Sequence, residues 1–152
     1  MVKFKKGPSK KIFTKGQQRL VLKEVKKYVC ANLPKTKIYM KRIFGSLATG
    51  KFGKYERKFK RRYYSDVDIL FVVSDNFKSS KKWKLEFKPN DILGKVYRRD
   101  VVNVEIGKSI ITIDMDYAIL PITYTKKPGV MEFYESIGFP LRRKSKNKFI
   151  RV

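Results

Sequence analysis

The sequence predicts a single α+β domain, and three observations support that prediction. Apolar residues recur at helical spacing through residues 17–33, which is typical of an amphipathic helix. Residues 67–73, VDILFVV, are apolar almost throughout, as expected of a strand covered on both faces. Two β-rich runs, 95–106 and 109–120, are separated by a Gly-Lys turn and predict a hairpin. The 152 residues of the chain suffice for one core.

The N-terminal half continues this pattern. Residues 1–15 are rich in Lys and contain a Gly-Pro step, so they predict a basic N-terminal arm. Residues 37–44 are rich in Ile, Tyr and Phe and predict a strand that ends at Gly45. A short helix is expected directly after it, within residues 46–52.

The C-terminal half is less regular. Residues 74–94 mix polar loop signals with a possible amphipathic piece and stay unassigned. Residues 130–139, VMEFYESIGF, predict a second short helix. The chain then ends in a basic C-terminal tail, residues 142–152, so that residues 1–152 form one domain with a basic segment at each end.

Charge composition suggests the class of partner. Lys and Arg number 38 against 13 Asp and Glu, a formal net charge of +25, which favours a polyanion such as nucleic acid. A generally Lys-rich composition is the alternative explanation. The single Cys and the lack of His exclude an intramolecular disulfide, a His-ligated zinc and a His-based triad. Any chemistry must therefore rest on carboxylates.

Apolar segments are short throughout the sequence. None approaches the roughly 20 residues that span a bilayer, and the basic first residues do not resemble a signal peptide. We therefore expect a soluble, cytoplasmic protein with no membrane partner.

Four of the acids form two closely spaced pairs. Asp66 and Asp68 are two residues apart at the start of the apolar run, so they share one face of the predicted strand. Asp114 and Asp116 repeat the arrangement in the second half of the hairpin. If the two strands are neighbours, three carboxylates can hold two divalent cations roughly 4 Å apart, which is the arrangement for phosphoryl or nucleotidyl transfer. Strand-end acids that pair with Lys or Arg are the alternative.

The order of these motifs resembles the nucleotidyltransferase superfamily of DNA polymerase beta. The matching pieces are RIFGSLATGKF, SDVDILFVV and ITIDMDYAIL, and the resemblance covers about residues 37–121. It implies a small mixed sheet backed by helices, the polymerase beta palm-like fold. It also implies transfer of a nucleoside monophosphate from an NTP to a hydroxyl, with Mg²⁺ or Mn²⁺ as the cofactor.

The resemblance assigns roles to individual residues. Gly45 and Ser46 would bind the triphosphate of the nucleotide, and Asp66 and Asp68 would bind both metals. Asp114 would be the third catalytic metal ligand, with Asp116 in reserve and expected to lie farther from Asp68 than Asp114 does.

The chain departs from the family in a basic insertion, residues 53–64. Its cations alternate with aromatic residues next to the candidate site, and we expect them to bind nucleic acid. A solvated surface loop is the alternative. The cations assigned this role are Arg57, Lys58, Lys60, Arg61 and Arg62.

Three functions remain open at this stage. The first is metal-dependent nucleotidyl transfer to the end of an RNA or DNA. The second is the same transfer to a protein or small molecule, with a helical partner protein. The third is a non-catalytic basic nucleic-acid-binding protein whose acids are structural, although carboxylates on a binding surface would repel phosphate.

Overall fold

The computed structural model describes residues 13–33, 37–53, 57–59, 62–78, 84–87 and 95–152, and every structural statement below concerns these residues. Helices and strands alternate irregularly along the chain. The elements are α1 (Lys15–Asn32), β1 (Ile38–Phe44), α2 (Ser46–Thr49), β2 (Arg57–Phe59), β3 (Arg62–Val73), β4 (Lys84–Phe87), β5 (Lys95–Ile106), β6 (Ser109–Pro121), α3 (Ile122–Thr125), α4 (Val130–Ser136) and β7 (Ile150–Arg151).

Within the described residues, seven strands form one mixed sheet. Six of them follow the order β4-β5-β6-β3-β1-β7, and β2 pairs with β3 outside that path. The β3 and β6 strands are parallel, whereas the other pairs are antiparallel. The predicted α+β class and the mixed sheet are therefore confirmed.

One face of the sheet, which we call the helix face, packs against α1. Thr14 caps the N-terminus of the helix. Its Oγ1 accepts a hydrogen bond from the Gln17 backbone N at 3.2 Å, and its own backbone N donates to Gln17 Oε1 at 3.0 Å. Val21 and Val25 are buried at helical spacing and lie in one core with residues of β3 and β6. The helix predicted over 17–33 is confirmed, but Leu20 of its apolar pattern is 37% exposed.

The opposite face is covered in part by α4, which confirms the second predicted helix. Val130 and Tyr134 of that helix form a smaller apolar cluster with Leu70 and Leu120, and Leu141 completes it. The alternation along both central strands explains the division, because neighbouring side chains point to opposite faces. The buried run 67–73 thus serves two cores, as a strand covered on both faces should.

The described residues of the basic insertion form strands and not the surface loop that was one of the two alternatives. Residues 57–59 form β2, which pairs antiparallel with residues 62–64, the first residues of β3. As a result β3 starts at Arg62, five residues before the predicted strand. Asp66 and Asp68 therefore lie inside the strand and not at its N-terminal end, which corrects the prediction. The extension arises because two neighbours, β2 and β6, supply hydrogen-bond partners to a segment whose own composition is mostly charged and aromatic.

The last residues of the chain are fixed to the sheet. Ile150–Arg151 form β7, and this strand pairs with β1. Arg42 of β1 is buried, donates from Nη1 to the Pro140 and Arg142 carbonyl oxygens at 2.6 and 2.7 Å, and stacks on Phe149 at 4.0 Å. Burial lowers the pKa of Arg42, and the nearby Arg151 lowers it further. The basic tail predicted at 142–152 is thus a docked segment of the domain.

The other predicted elements have mixed outcomes. The strand at 37–44, the short helix after Gly45 and the hairpin at 95–120 are confirmed as β1, α2 and the β5–β6 pair. The unassigned stretch 74–94 contributes β4. Of the N-terminal arm, residues 1–12 lie outside the described residues, and Thr14 and Lys15 belong to the start of α1.

Candidate active site

The four paired aspartates lie on the face opposite α1, which we call the carboxylate face. In the parallel β3–β6 pair, Asp66 is opposite Asp114 and Asp68 is opposite Asp116. Residues opposite each other on neighbouring strands share a face, so all four side chains leave the sheet on the same side. Neighbouring strands are about 4.8 Å apart and alternate residues about 6.7 Å apart, so the four Cα atoms form a compact rectangle.

The register corrects one expectation about the third carboxylate. Asp116, and not Asp114, is the direct cross-strand partner of Asp68, so the prediction that Asp116 lies farther from Asp68 is wrong at the level of the backbone. The buried residues of the helix face explain the register. Val67 is opposite Met115 and both are buried there, and a shift by one residue would move that whole set to the other face. Both Asp114 and Asp116 are candidates for the third position.

Solvent reaches this part of the carboxylate face. Asp66 is exposed, and Asp68, Asp114 and Asp116 are half-buried. Two residues further along β3, Leu70 is fully buried beneath the α4 cluster. The carboxylates therefore lie at the border between the covered and the accessible parts of this face, where a charged ligand can approach them without desolvating the core.

Gly45 brings the end of β1 against Asp68. Phe44, the last residue of β1, is opposite Asp68, and Gly45 then turns away with a φ of +73°. A Cβ atom on Gly45 would lie 2.8 Å from Asp68 Oδ2, closer than real Cβ atoms approach. Glycine is needed here both for its backbone conformation and for space. The structure thus brings Gly45 and Ser46, which begins α2, next to the candidate metal ligands.

The turn at Gly45 also interrupts the sheet. On this edge of β3, the β1 ladder ends opposite Asp68 and the β2 ladder begins opposite Tyr64. Between them, residues 65–67 have no ladder partner among the described residues on that edge. Asp66 lies at the middle of this interruption. Strand edges and irregular turns of this kind leave backbone groups accessible to a ligand.

The donor chemistry of the site suits a hard divalent cation, although the side chains are not gathered around one. Carboxylate oxygens are the ligands that Mg²⁺ and Mn²⁺ prefer. In the part of the chain that the structure describes, no three acidic, His or Cys side chains are close enough together to hold a metal ion. Asp66, Asp68 and Asp116 each already interact with other groups. The fit is therefore one of residue type and backbone position, and metal binding would require these carboxylates to come closer together.

The cations of the basic insertion have a backbone position close to the site. Arg57 and Lys58 lie in β2, and Arg62 is the first residue of β3, four positions before Asp66. Lys60 and Arg61 lie outside the described residues. The β2–β3 pair therefore places at least part of the predicted nucleic-acid-binding segment directly upstream of the carboxylates.

Sequence reasoning missed one arginine that the register places beside the site. Arg98 of β5 is the cross-strand partner of Asp116, and a bulge between Arg98 and Asp100 sets that pairing. Counting back from the two-residue turn of the predicted hairpin would have placed Arg99 opposite Asp116. Either count places an arginine opposite Asp116, so the predicted β5–β6 hairpin was enough to predict an arginine beside the site.

The chain matches no protein-family model, and it matches no curated protein. None of the helices described above is both long enough and apolar enough to cross a membrane. The resemblance to polymerase beta-type nucleotidyltransferases thus rests on the motifs quoted above.

Proposed function

We propose that the protein is a metal-dependent nucleotidyltransferase that moves a nucleoside monophosphate from an NTP to a hydroxyl at the end of a nucleic acid. One observation carries the proposal. Four carboxylates share one accessible face of two adjacent strands, with Gly45 packed against Asp68. The motif order that suggests the chemistry in the sequence is supported by this spatial proximity of the same residues.

Each residue has a role in the proposed reaction. Asp66 and Asp68, together with Asp114 or Asp116, would hold Mg²⁺ or Mn²⁺. When bound, the metal would lower the pKa of the acceptor hydroxyl and neutralise charge on the phosphates. Ser46 and the backbone amides at the start of α2 would donate hydrogen bonds to the triphosphate, which Gly45 allows to approach.

The proposed transfer is a single displacement. The acceptor oxygen forms a bond to the α-phosphorus of the NTP, and the bond from that phosphorus to the bridging oxygen breaks. Pyrophosphate leaves with the electron pair of the broken bond. The hydroxyl proton passes to solvent through Asp114 or Asp116, the carboxylates on the second strand of the site.

A non-catalytic nucleic-acid-binding protein is the second candidate. It is favoured by the net charge of +25 and by the dispersed acidic side chains of the described residues, which hold no ready three-ligand site. Against it, partly exposed carboxylates on an accessible face would repel phosphate and weaken such binding. Transfer to a protein or small-molecule acceptor, with a partner protein, has no observation of its own in its favour.

A transfer assay tests the proposal. The purified chain is incubated with each labelled NTP, Mg²⁺ or Mn²⁺, and RNA, DNA or protein acceptors. We expect label on a nucleic acid, dependent on the metal. The matched control for an Asp68→Asn variant is Glu105→Gln, since Glu105 is an exposed acid that the register also places on the carboxylate face. Absence of label on every acceptor, or equal activity in both variants, contradicts the proposal.

A further inference from the structure

The C-terminal basic segment, residues 142–151, combines a dense positive charge with a fixed backbone. Its six cations are all exposed, whereas its other four residues are half-buried, and it contains no acid. This division means that the uncharged side chains attach the segment to the domain while the charged ones face solvent. The six cations are Arg142, Arg143, Lys144, Lys146, Lys148 and Arg151.

Glu135 and Asn147 fix the backbone of this segment. Glu135 of α4 accepts hydrogen bonds from the Arg142 backbone N and from Ser145 Oγ, the latter at 2.6 Å. Asn147 Nδ2 donates to the carbonyl oxygens of Glu135 and Phe139 at 2.8 and 3.1 Å. Runs of like charge are more often disordered tails. Here the ordering is provided by bonds within the protein, so a ligand does not have to supply it.

Arg42 ties the segment to the carboxylate face. Arg42 is opposite Leu70 of β3, which makes it a diagonal neighbour of Asp68, and such neighbours have Cα atoms about 7–8 Å apart. Its guanidinium binds the Pro140 and Arg142 carbonyls, and Leu141 packs in the same cluster as Leu70. The segment therefore starts on the same side of the sheet as the aspartates, one strand away from them.

The cations of the segment are almost entirely available to a ligand. Within the described part of the chain, a single one of the six is in a salt bridge, Arg142 with Glu132 at 3.5 Å. That pair is largely exposed and therefore weak. The other five have no acidic partner among the described residues, and such cations on an ordered backbone attract a ligand with several negative charges at regular spacing.

We propose that this basic segment binds the phosphate backbone of a nucleic acid and leads its end toward the aspartates. The link to the aspartates rests on the proposed function, whereas binding of the backbone does not. Nucleic acid is favoured over an anionic membrane because the exposed side chains of the segment are all charged, and interfacial membrane segments expose aromatic or aliphatic residues that insert into lipid.

Three charge-neutralised variants test the proposal, each with four cations replaced by Gln. The control variant changes exposed cations of α1, which covers the opposite face, and therefore loses the same charge. The third variant changes the basic insertion. The substitutions are Arg143, Lys144, Lys146 and Lys148 in the basic segment; Lys15, Arg19, Lys23 and Lys27 in α1; and Arg57, Lys58, Lys60 and Arg61 in the insertion.

Binding to a labelled single-stranded RNA is measured over a range of salt concentrations. The basic-segment variant is expected to bind about tenfold or more weakly at moderate salt, and its salt slope of log K should fall by about 0.7 for each lost phosphate contact. The α1 variant should lose much less affinity. Equal losses in those two variants would reduce the effect to net charge and overturn the proposal. Loss confined to the insertion variant would overturn it as well.

Two further measurements separate this proposal from the proposed function. The first measures binding of the wild-type chain and the basic-segment variant to vesicles that contain anionic lipid. If the segment is needed for vesicle binding but not for RNA binding, the surface binds a membrane and the proposal is overturned. The second measures RNA binding by the Asp68→Asn variant. Retained RNA binding without transfer supports both proposals. If the wild-type chain binds RNA through the segment but transfers nothing, the proposed function fails and the binding surface stands.

Discussion

The two faces of the sheet differ in what the same two strands, β3 and β6, present on them. On the helix face, alternate residues of β3 and β6 are buried against α1, with Ile69, Ile113 and Tyr117 completely inaccessible. On the carboxylate face, the positions between them carry Asp66, Asp68, Asp114 and Asp116 before apolar residues resume. The apolar face determines the register of the pair, and the register in turn aligns the acids on the other face. The larger core and the candidate chemistry thus lie on opposite sides of the same two strands.

The largest expected effect is that of a substitution at Asp68, which should change activity but not stability. Replacing Asp68 with Asn keeps the shape of the side chain but removes a charge that the proposed metal needs. We expect transfer to fall by about 100-fold or more, since the loss of one metal ligand costs several kcal/mol of transition-state stabilisation. The melting temperature should change little. Steady-state transfer and thermal unfolding of the same preparation check both parts, and a large drop in melting temperature would instead assign Asp68 a structural role.

Val25 tests the helix face in the opposite sense. Val25→Ala removes two buried methyl groups from the α1 contact, where Val25 is completely buried. We expect a loss of about 2–3 kcal/mol in the free energy of unfolding, from the transfer of these groups and the cavity that remains. Transfer per folded molecule should be unchanged.

Leu20→Ala is the control for Val25, because Leu20 lies on the same helix but is 37% exposed. Its cost should be about 1 kcal/mol or less. Urea denaturation of both variants measures the difference. Similar costs for the two substitutions would mean that α1 does not pack on the sheet through its valines.

Gly45 lies where the two sides meet, so its replacement should affect chemistry and stability together. In Gly45→Ala, the new Cβ would displace the Asp68 carboxylate, 2.8 Å away. Gly50→Ala also has a positive φ, +75°, and no atom within 4 Å, but its ψ of 16° is left-handed helical whereas that of Gly45 is −148°, so it reports the smaller backbone strain of that conformation without any contact. We expect about tenfold lower transfer in Gly45→Ala than in Gly50→Ala, while both lose about 1–3 kcal/mol of stability. Equal transfer in the two variants would mean that contact with Asp68 does not matter.

Much of this arrangement is predictable because it repeats at short range. The spacing of Val21, Val25 and Val29 predicts α1, and the alternation in residues 109–120 predicts a strand with Asp114 and Asp116 on one face. The extension of β3 back to Arg62 was missed, because charged and aromatic residues there carry no apolar alternation and the strand is formed by pairing with β2 and β6.

The docking of the C-terminal segment could not be predicted for a different reason. Arg42 bonds to carbonyl groups 98 and 100 residues away in the sequence. No local sequence pattern predicts such a contact, and an arginine in a strand is ordinarily expected to be exposed. Asn147 and Glu135 are likewise polar residues of ordinary composition, whose importance arises from the tertiary fold alone.

The smallest expected effect concerns the Arg142–Glu132 ion pair at the start of the basic segment. Its groups are 3.5 Å apart and their side chains are 49% and 67% exposed, so solvent screens most of the attraction. Glu132→Gln should therefore change the free energy of unfolding by less than about 0.5 kcal/mol. It also removes one negative charge beside the segment, so RNA affinity should rise slightly, by less than about threefold.

Glu135→Gln is the informative comparison, since Glu135 holds the Arg142 amide and Ser145 in place. Its replacement should loosen the segment despite the same change in charge. Weaker RNA binding in Glu135→Gln than in Glu132→Gln would attribute affinity to the ordered backbone, whereas equal affinities would mean that the cations act through their charge alone.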